Sequence, residues 1–144
     1  MQNGDLAEHH PDVIVVVLEG VLCLVSHETE TSRFLHKERV TSTSLQWMDL
    51  PIKRLVTLAN QYPDYEIQVI TFEDEAMATR ATVFLDTIGF PFPQVQYFPL
   101  DDFVTTLRYQ PMIRGVYDSN EARLDAYGQV GVGVPFGQDW MSNG

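Results

Sequence analysis

The stretch DVIVVVLEGVLCLV, Asp12–Val25, decides the fold. Val13–Leu18 is apolar without alternation and rich in valine, which is the pattern of a central strand covered on both faces. Gly20 follows, a residue suited to a sharp turn or a close backbone approach. Val21–Val25 reads as a further short extended piece. Between Asp12 and His27, Glu19 is the one acidic or basic residue, and it stands where the strand should end.

Downstream, strand and helix patterns alternate. MDLPIKRLVTLANQYPDYE holds a helix with Asp49 as its cap, Pro51 in its first turn and Pro63 as its stop. Its apolar face is Ile52, Leu55, Val56, Leu58, Ala59 and Tyr62. EIQVITF is a second strand. Thr71 then caps a helix from about Glu73 to Thr87, with acidic residues in its first turn and Gly89 as terminator. QVQYFPL is a third strand, DDFVTTLRY a short helix, IRGVYD a fourth strand and SNEARLDAYGQ a brief helix. VGVGVPF, Val130–Phe136, reads as a weak fifth strand at an edge. The segment SHETETSRFLHKERVTSTS, Ser26–Ser44, is polar and poorly periodic and reads as a loop with short irregular elements.

This alternation predicts an α/β domain with a three-layer Rossmann-like fold: a central, mostly parallel five-stranded sheet with helices on both faces. Residues 1–144 make one domain, with 1–11 a flexible lead-in and 136–144 a tail. In such a sheet ligands bind beyond the carboxyl ends of the strands. Glu19, Thr71 and Glu73, and Asp118 and Ser119 are therefore the candidates, with Glu121 and Asp125 just beyond. If the first and fourth strands are neighbours, Glu19 and Asp118 share a rim where carboxylates could hold a hard cation such as magnesium.

Nine Lys plus Arg against twenty Asp plus Glu give a net charge of −11. That balance argues against direct nucleic-acid binding through a broad phosphate-contacting surface and suits docking onto a basic protein partner. A single cysteine, Cys23, excludes an intrachain disulfide and fits a reducing compartment. The polar, acidic start MQNGDLAEHHPD is unlike a secretory signal, and no apolar run reaches a membrane span. A cytoplasmic protein is expected. Cys23 lies in an apolar run as an inert thiol, and His9, His10, His27 and His36 lack metal-ligand spacing.

The order VVVLEGVL, VIT, VYDSNEARLDAYGQVGV resembles the haloacid dehalogenase-like superfamily over about Val13–Val134. The first strand of that superfamily ends in Asp-x-Asp-Gly. Its first Asp is the phosphoryl-accepting nucleophile and its second a general acid/base. A Thr or Ser, a Lys and an acidic magnesium site follow. By this resemblance Val17 stands in place of the nucleophile and Glu19 in place of the second Asp, ahead of Gly20, Val21 and Leu22. Thr71 matches the phosphate-contacting hydroxyl and Asp118 the acidic site. No lysine follows Lys53, and Arg108 in the corresponding region supplies only positive charge. The compact size and a "DSxxxR"-like ending are similar to small capless members, phage ones among them.

Valine offers no oxygen to attack phosphorus or ligate a metal. The resemblance therefore implies a catalytically degenerate domain, a pseudoenzyme acting as a protein-binding or modulatory module. Such a domain suits a phage protein that targets a host factor. No cofactor is expected on this reading. The alternative is a Mg2+-dependent phosphoester hydrolase: Glu19 and Asp118 hold the metal, Thr71 and Arg108 hold the phosphate, and water attacks directly.

Overall fold

The computed structural model describes residues 12–31, 38–61 and 63–130. The lead-in over 1–11 and the tail over 136–144 lie outside the described residues. Asp12–Val17 forms β1, the apolar centre of the sheet, with its last four residues buried. It pairs in parallel with β4, Tyr65–Thr71, on one side and with β6, Ile113–Tyr117, on the other. A two-residue strand β5, Gln96–Tyr97, extends the β4 edge, so the order is β5-β4-β1-β6. The uniform burial follows from this central position: β1 is covered on both faces, so neither face needs polar side chains.

Three helices connect these strands, α1, Asp49–Gln61; α2, Glu75–Thr87; and α3, Leu100–Tyr109; a fourth, α4, Glu121–Gln129, follows β6. With this strand order, the right-handed rule for parallel crossovers assigns α1 and α2 to one face and α3 to the other. Phe103 of α3 and Tyr127 of α4 meet edge-to-face, with ring centroids 5.6 Å apart. Leu55 and Leu58 of α1 and Met77, Ala81 and Leu85 of α2 fill the core. Among the described residues no helix is long and apolar enough to cross a membrane.

The architecture is α/β, but one sequence expectation needs correction. Among the described residues the sheet has four parallel strands, which are the first four expected. Val130 caps the end of α4, and the rest of the expected fifth strand lies outside the described residues. Over its described residues, 26–31 and 38–44, the polar segment Ser26–Ser44 is not an irregular loop. Cys23–Thr31 forms β2 and Glu38–Trp47 forms β3, a separate antiparallel pair with a bulge between Glu28 and Thr29. Its packed face consists of the opposed pairs Cys23/Trp47, Val25/Leu45 and His27/Thr43. Only the base of this face is apolar. Beyond the base, Ser26, His27 and Glu28 of β2 face Ser44, Thr43 and Ser42 of β3, so the alternation that announces a half-buried strand does not develop there.

Local signals also shifted. Asp49 is the first residue of α1 instead of its cap. Asp74, not Thr71, caps α2: its Oδ1 accepts from Met77 N at 2.8 Å. Thr71 is released for another use. Gly89 does terminate α2. It adopts φ +79°, and the Phe90 amide donates back to the Leu85 carbonyl at 3.0 Å.

Candidate functional site at the carboxyl rim of the sheet

β1 lies between β4 and β6, so the carboxyl ends of all three strands adjoin. From β1 the chain winds outward through β4 to β5, then returns to the opposite side as β6. The β1/β6 boundary is therefore the switch point where open α/β sheets bind ligands. The chain leaves β1 through a tight turn in which the Leu22 amide donates to the Leu18 carbonyl at 2.9 Å. Gly20 makes this turn with φ +82°, and a Cβ there would lie 2.5 Å from Ser119 Oγ. A side chain at position 20 would meet both backbone strain and the β6 rim.

The turn delivers Glu19 to Thr71. Thr71 Oγ1 donates to Glu19 Oε2 at 2.6 Å, and the Phe72 amide donates to both carboxylate oxygens at 3.3 Å. Thr71 Oγ1 in turn accepts from the Glu73 amide at 3.1 Å, which leaves its own proton for Glu19. Burial raises the Glu19 pKa above its ordinary value. The Thr71 and backbone hydrogen bonds oppose that rise, and the Glu73 charge adds to it.

Asp118, just past β6, is fully buried. Its Oδ1 accepts from Asn120 N at 3.0 Å and Arg123 Nη2 at 2.9 Å. Its Oδ2 accepts from Arg123 Nε at 2.7 Å and Tyr127 Oη at 2.6 Å. A carboxylate has about four lone-pair sites, and here all are engaged. Burial by itself disfavours the Arg123 charge, yet the hydrogen bonds and charge of Asp118 hold its pKa above the ordinary value. Burial, then the Asp118 hydrogen bond and charge, push the Tyr127 hydroxyl well up. The guanidinium carbon of Arg123 sits 5.1 Å from the centre of the Phe72 ring. The arginine thus ties the Asp118 cluster to the turn that holds Glu19.

The rim therefore gathers three of the five residues that the resemblance places at the site: Glu19 and Thr71 in direct contact, and Asp118 beside them across β1. Val17 is wholly buried at the end of β1, level with Ile70. Arg108 is not brought to the rim. It is exposed in the last turn of α3, which starts at the rim after β5 and runs about 15 Å toward the amino end of β6. Arg123 is the cation that reaches the site. The sequence shows Arg123 as the end of the DSxxxR-like match without a site role and gives no sign of Tyr127, although Asn120 as cap places Arg123 in the first turn of α4 and Tyr127 four residues on along the same face.

The β2–β3 ribbon docks beside this rim. His27 Nε2 lies 3.1 Å from Glu73 Oε1, and His27 Nδ1 lies 2.9 Å from Thr43 Oγ1. Arg80 Nη1 donates to the Thr43 carbonyl at 3.0 Å, and Trp47 stacks on Phe84 with centroids 3.9 Å apart. Cys23 is buried at the ribbon base. Burial, then the Glu19 and Glu73 charges, push its thiol up to about 12, so it is a poor nucleophile. His9, His10 and His36 lie outside the described residues. A cavity of about 230 Å³ lies elsewhere, under α3, walled by Val13, Val15, Ile70, Phe98, Phe103 and Ile113.

Among the described residues no group of three or more His, Cys, Asp or Glu side chains is placed to hold a metal ion. Compared with known proteins, the chain matches no protein-family model and no curated sequence.

Proposed function

We propose that the chain is a non-catalytic α/β binding module in which the sheet rim that would carry chemistry has become an internal hydrogen-bond network. The observation that carries this is the saturation of Asp118: Arg123, Tyr127 and the Asn120 amide take every acceptor position of its carboxylate. A metal at Asp118 would have to displace a bidentate arginine or a buried tyrosine hydroxyl. Burying either unpaired costs at least about 1–3 kcal/mol. Glu19 is held by the Thr71 hydroxyl and the Phe72 amide, and Val17 supplies no oxygen.

A degenerate member of the haloacid dehalogenase-like superfamily remains the resemblance that accounts best for this layout. Its supports are the position of Val17-Leu18-Glu19-Gly20 at the end of the central strand, Thr71 at the end of the neighbouring strand and Asp118 at the end of the strand on the other side. The net charge of −11 favours a protein partner with a basic surface, drawn by long-range steering. The small, acidic chain with a closed rim suits a phage protein that modulates a host factor.

Isothermal titration with Mg2+ and an aryl-phosphate hydrolysis assay test the non-catalytic reading. The expected result is no saturable Mg2+ binding and no turnover above buffer. Mg2+-dependent turnover that disappears in Glu19→Gln and Asp118→Asn would overturn it in favour of the direct-water hydrolase. Affinity capture at two salt concentrations tests the partner. A basic partner should be lost as salt rises.

A further inference from the structure

We propose that the cavity beneath α3 is a binding site for a small organic cation, a primary amine carried on one aromatic ring. The cavity includes neither Glu19 nor Asp118, so the inference goes beyond the reading of the rim and does not depend on it.

The sheet register builds the cavity. Val13 pairs with Glu66 and Val15 with Gln68, so these four side chains leave β1 and β4 on one face. α3 crosses that face and turns Phe103 and Thr106 toward it, and Phe98 closes the side beyond β4. The space left between them is about 230 Å³. Folded interiors hold few voids larger than a water molecule. An apolar cavity of about 150 Å³ stays dry and takes up benzene. This one therefore has room for a ring with a short substituent.

The polar side chains set into the wall fix the sign of the ligand. Thr106 spends its hydroxyl proton on the Asp102 carbonyl at 2.9 Å, which leaves its lone pairs. Gln68 donates its amide to the Val69 and Gln94 carbonyls, both at 2.9 Å, which leaves its own carbonyl oxygen. Glu66 is half-buried, and among the described residues its carboxylate has no hydrogen-bond donor and no ion-pair partner. These three groups can only accept. The exposed Gln96 and Gln110 can each turn an oxygen to the same ligand. Among the described residues no Arg, Lys or His lines the cavity, and Arg108 is exposed on another face of α3.

An ammonium carries three donors and no acceptor, which matches this set. A carboxylate ligand would meet Glu66 as a like charge. The walls favour an aromatic body for the amine. The Phe98 and Phe103 rings, with centroids 5.8 Å apart, supply aromatic surface for a ring to pack on and for a cation to approach. The net charge of −11 enriches cations around the whole chain.

The test is calorimetric titration of the full chain with phenethylammonium. Phenethyl alcohol, hydrocinnamate and ethylammonium are the comparisons, all at equal ionic strength. Phenethylammonium should bind saturably, phenethyl alcohol more weakly, and hydrocinnamate and ethylammonium not at all. Glu66→Gln keeps the shape of the wall and removes its charge. It should weaken phenethylammonium about tenfold and leave phenethyl alcohol unchanged, as the loss of a charged acceptor requires. In native protein, nuclear Overhauser effects from the bound ring to the methyls of Val15 and Ile113 should place it under α3. No saturable binding of phenethylammonium overturns the inference. So does equal affinity for any of the comparison compounds, or an affinity undiminished in Glu66→Gln. Ring contacts only to methyls outside the cavity overturn it without recourse to any variant.

Discussion

Two carboxylates share one rim and are held in opposite ways. Asp118 is buried against a bidentate arginine, a tyrosine hydroxyl and a backbone amide, so its negative charge is met by a formal positive one. Glu19 receives its hydrogen bonds from a hydroxyl and from backbone amides, and burial raises its pKa. The first arrangement is a charge network whose parts depend on one another. The second is a partly buried carboxylate met by neutral donors. Asp118 should therefore contribute more to stability than Glu19.

The largest effect expected from this contrast is Asp118→Ala. Removing one partner of a buried ion pair leaves Arg123 charged and the Tyr127 hydroxyl unpaired, and such losses cost about 3–5 kcal/mol. Urea unfolding should report a fall of that size. A loss under about 1 kcal/mol would mean that water reaches the cluster freely, and the contrast would break. Tyr127→Phe is the milder probe. It deletes one hydrogen bond to a charged acceptor and leaves Arg123 in place, so about 1.5–3 kcal/mol should be lost. The same variant reopens one acceptor position on Asp118. Mg2+ binding gained in Tyr127→Phe and absent from native protein would identify saturation as what keeps metal out.

Much of this arrangement was legible in the residues. The uninterrupted run of valines placed β1 at the sheet centre, and the parallel alternation put the ends of β1, β4 and β6 on one rim. Glu19, Thr71 and Asp118 followed from that geometry. The roles did not follow, because they depend on partners from other segments. Thr71 looked like a helix cap, yet Asp74 takes that duty and the Thr71 hydroxyl turns to Glu19 across 52 residues of sequence. Arg108 looked near in sequence, but α3 carries it away from the rim while the first turn of α4 presents Arg123. The ribbon escaped notice for a different reason. Its strands project from the core, so pairing stabilises them with little apolar alternation to announce them.

The smallest effect, and the most specific to the contrast, lies in pH dependence at Glu19. Native Glu19 binds its proton more tightly than the unfolded chain does, because burial disfavours the carboxylate. Between the ordinary glutamate value of 4.5 and the raised folded value, the native state therefore carries more protons than the unfolded state. Stability must then fall as pH rises through that window. The favourable contribution is complete below 4.5 and is lost above the folded value. Glu19→Gln cannot titrate, and its amide keeps one acceptor for Thr71 or Phe72, so at neutral pH it should lie within about 1 kcal/mol of native protein. The informative quantity is the stability difference between native protein and Glu19→Gln, measured by urea unfolding at a series of pH values from below 4.5 to neutrality. It should shift in favour of Glu19→Gln as pH rises across the window and be flat elsewhere. A shift in favour of native protein would mean that the Thr71 and Phe72 hydrogen bonds outweigh burial. Glu19 would then be anchored as firmly as Asp118, and the contrast between the two carboxylates would fail.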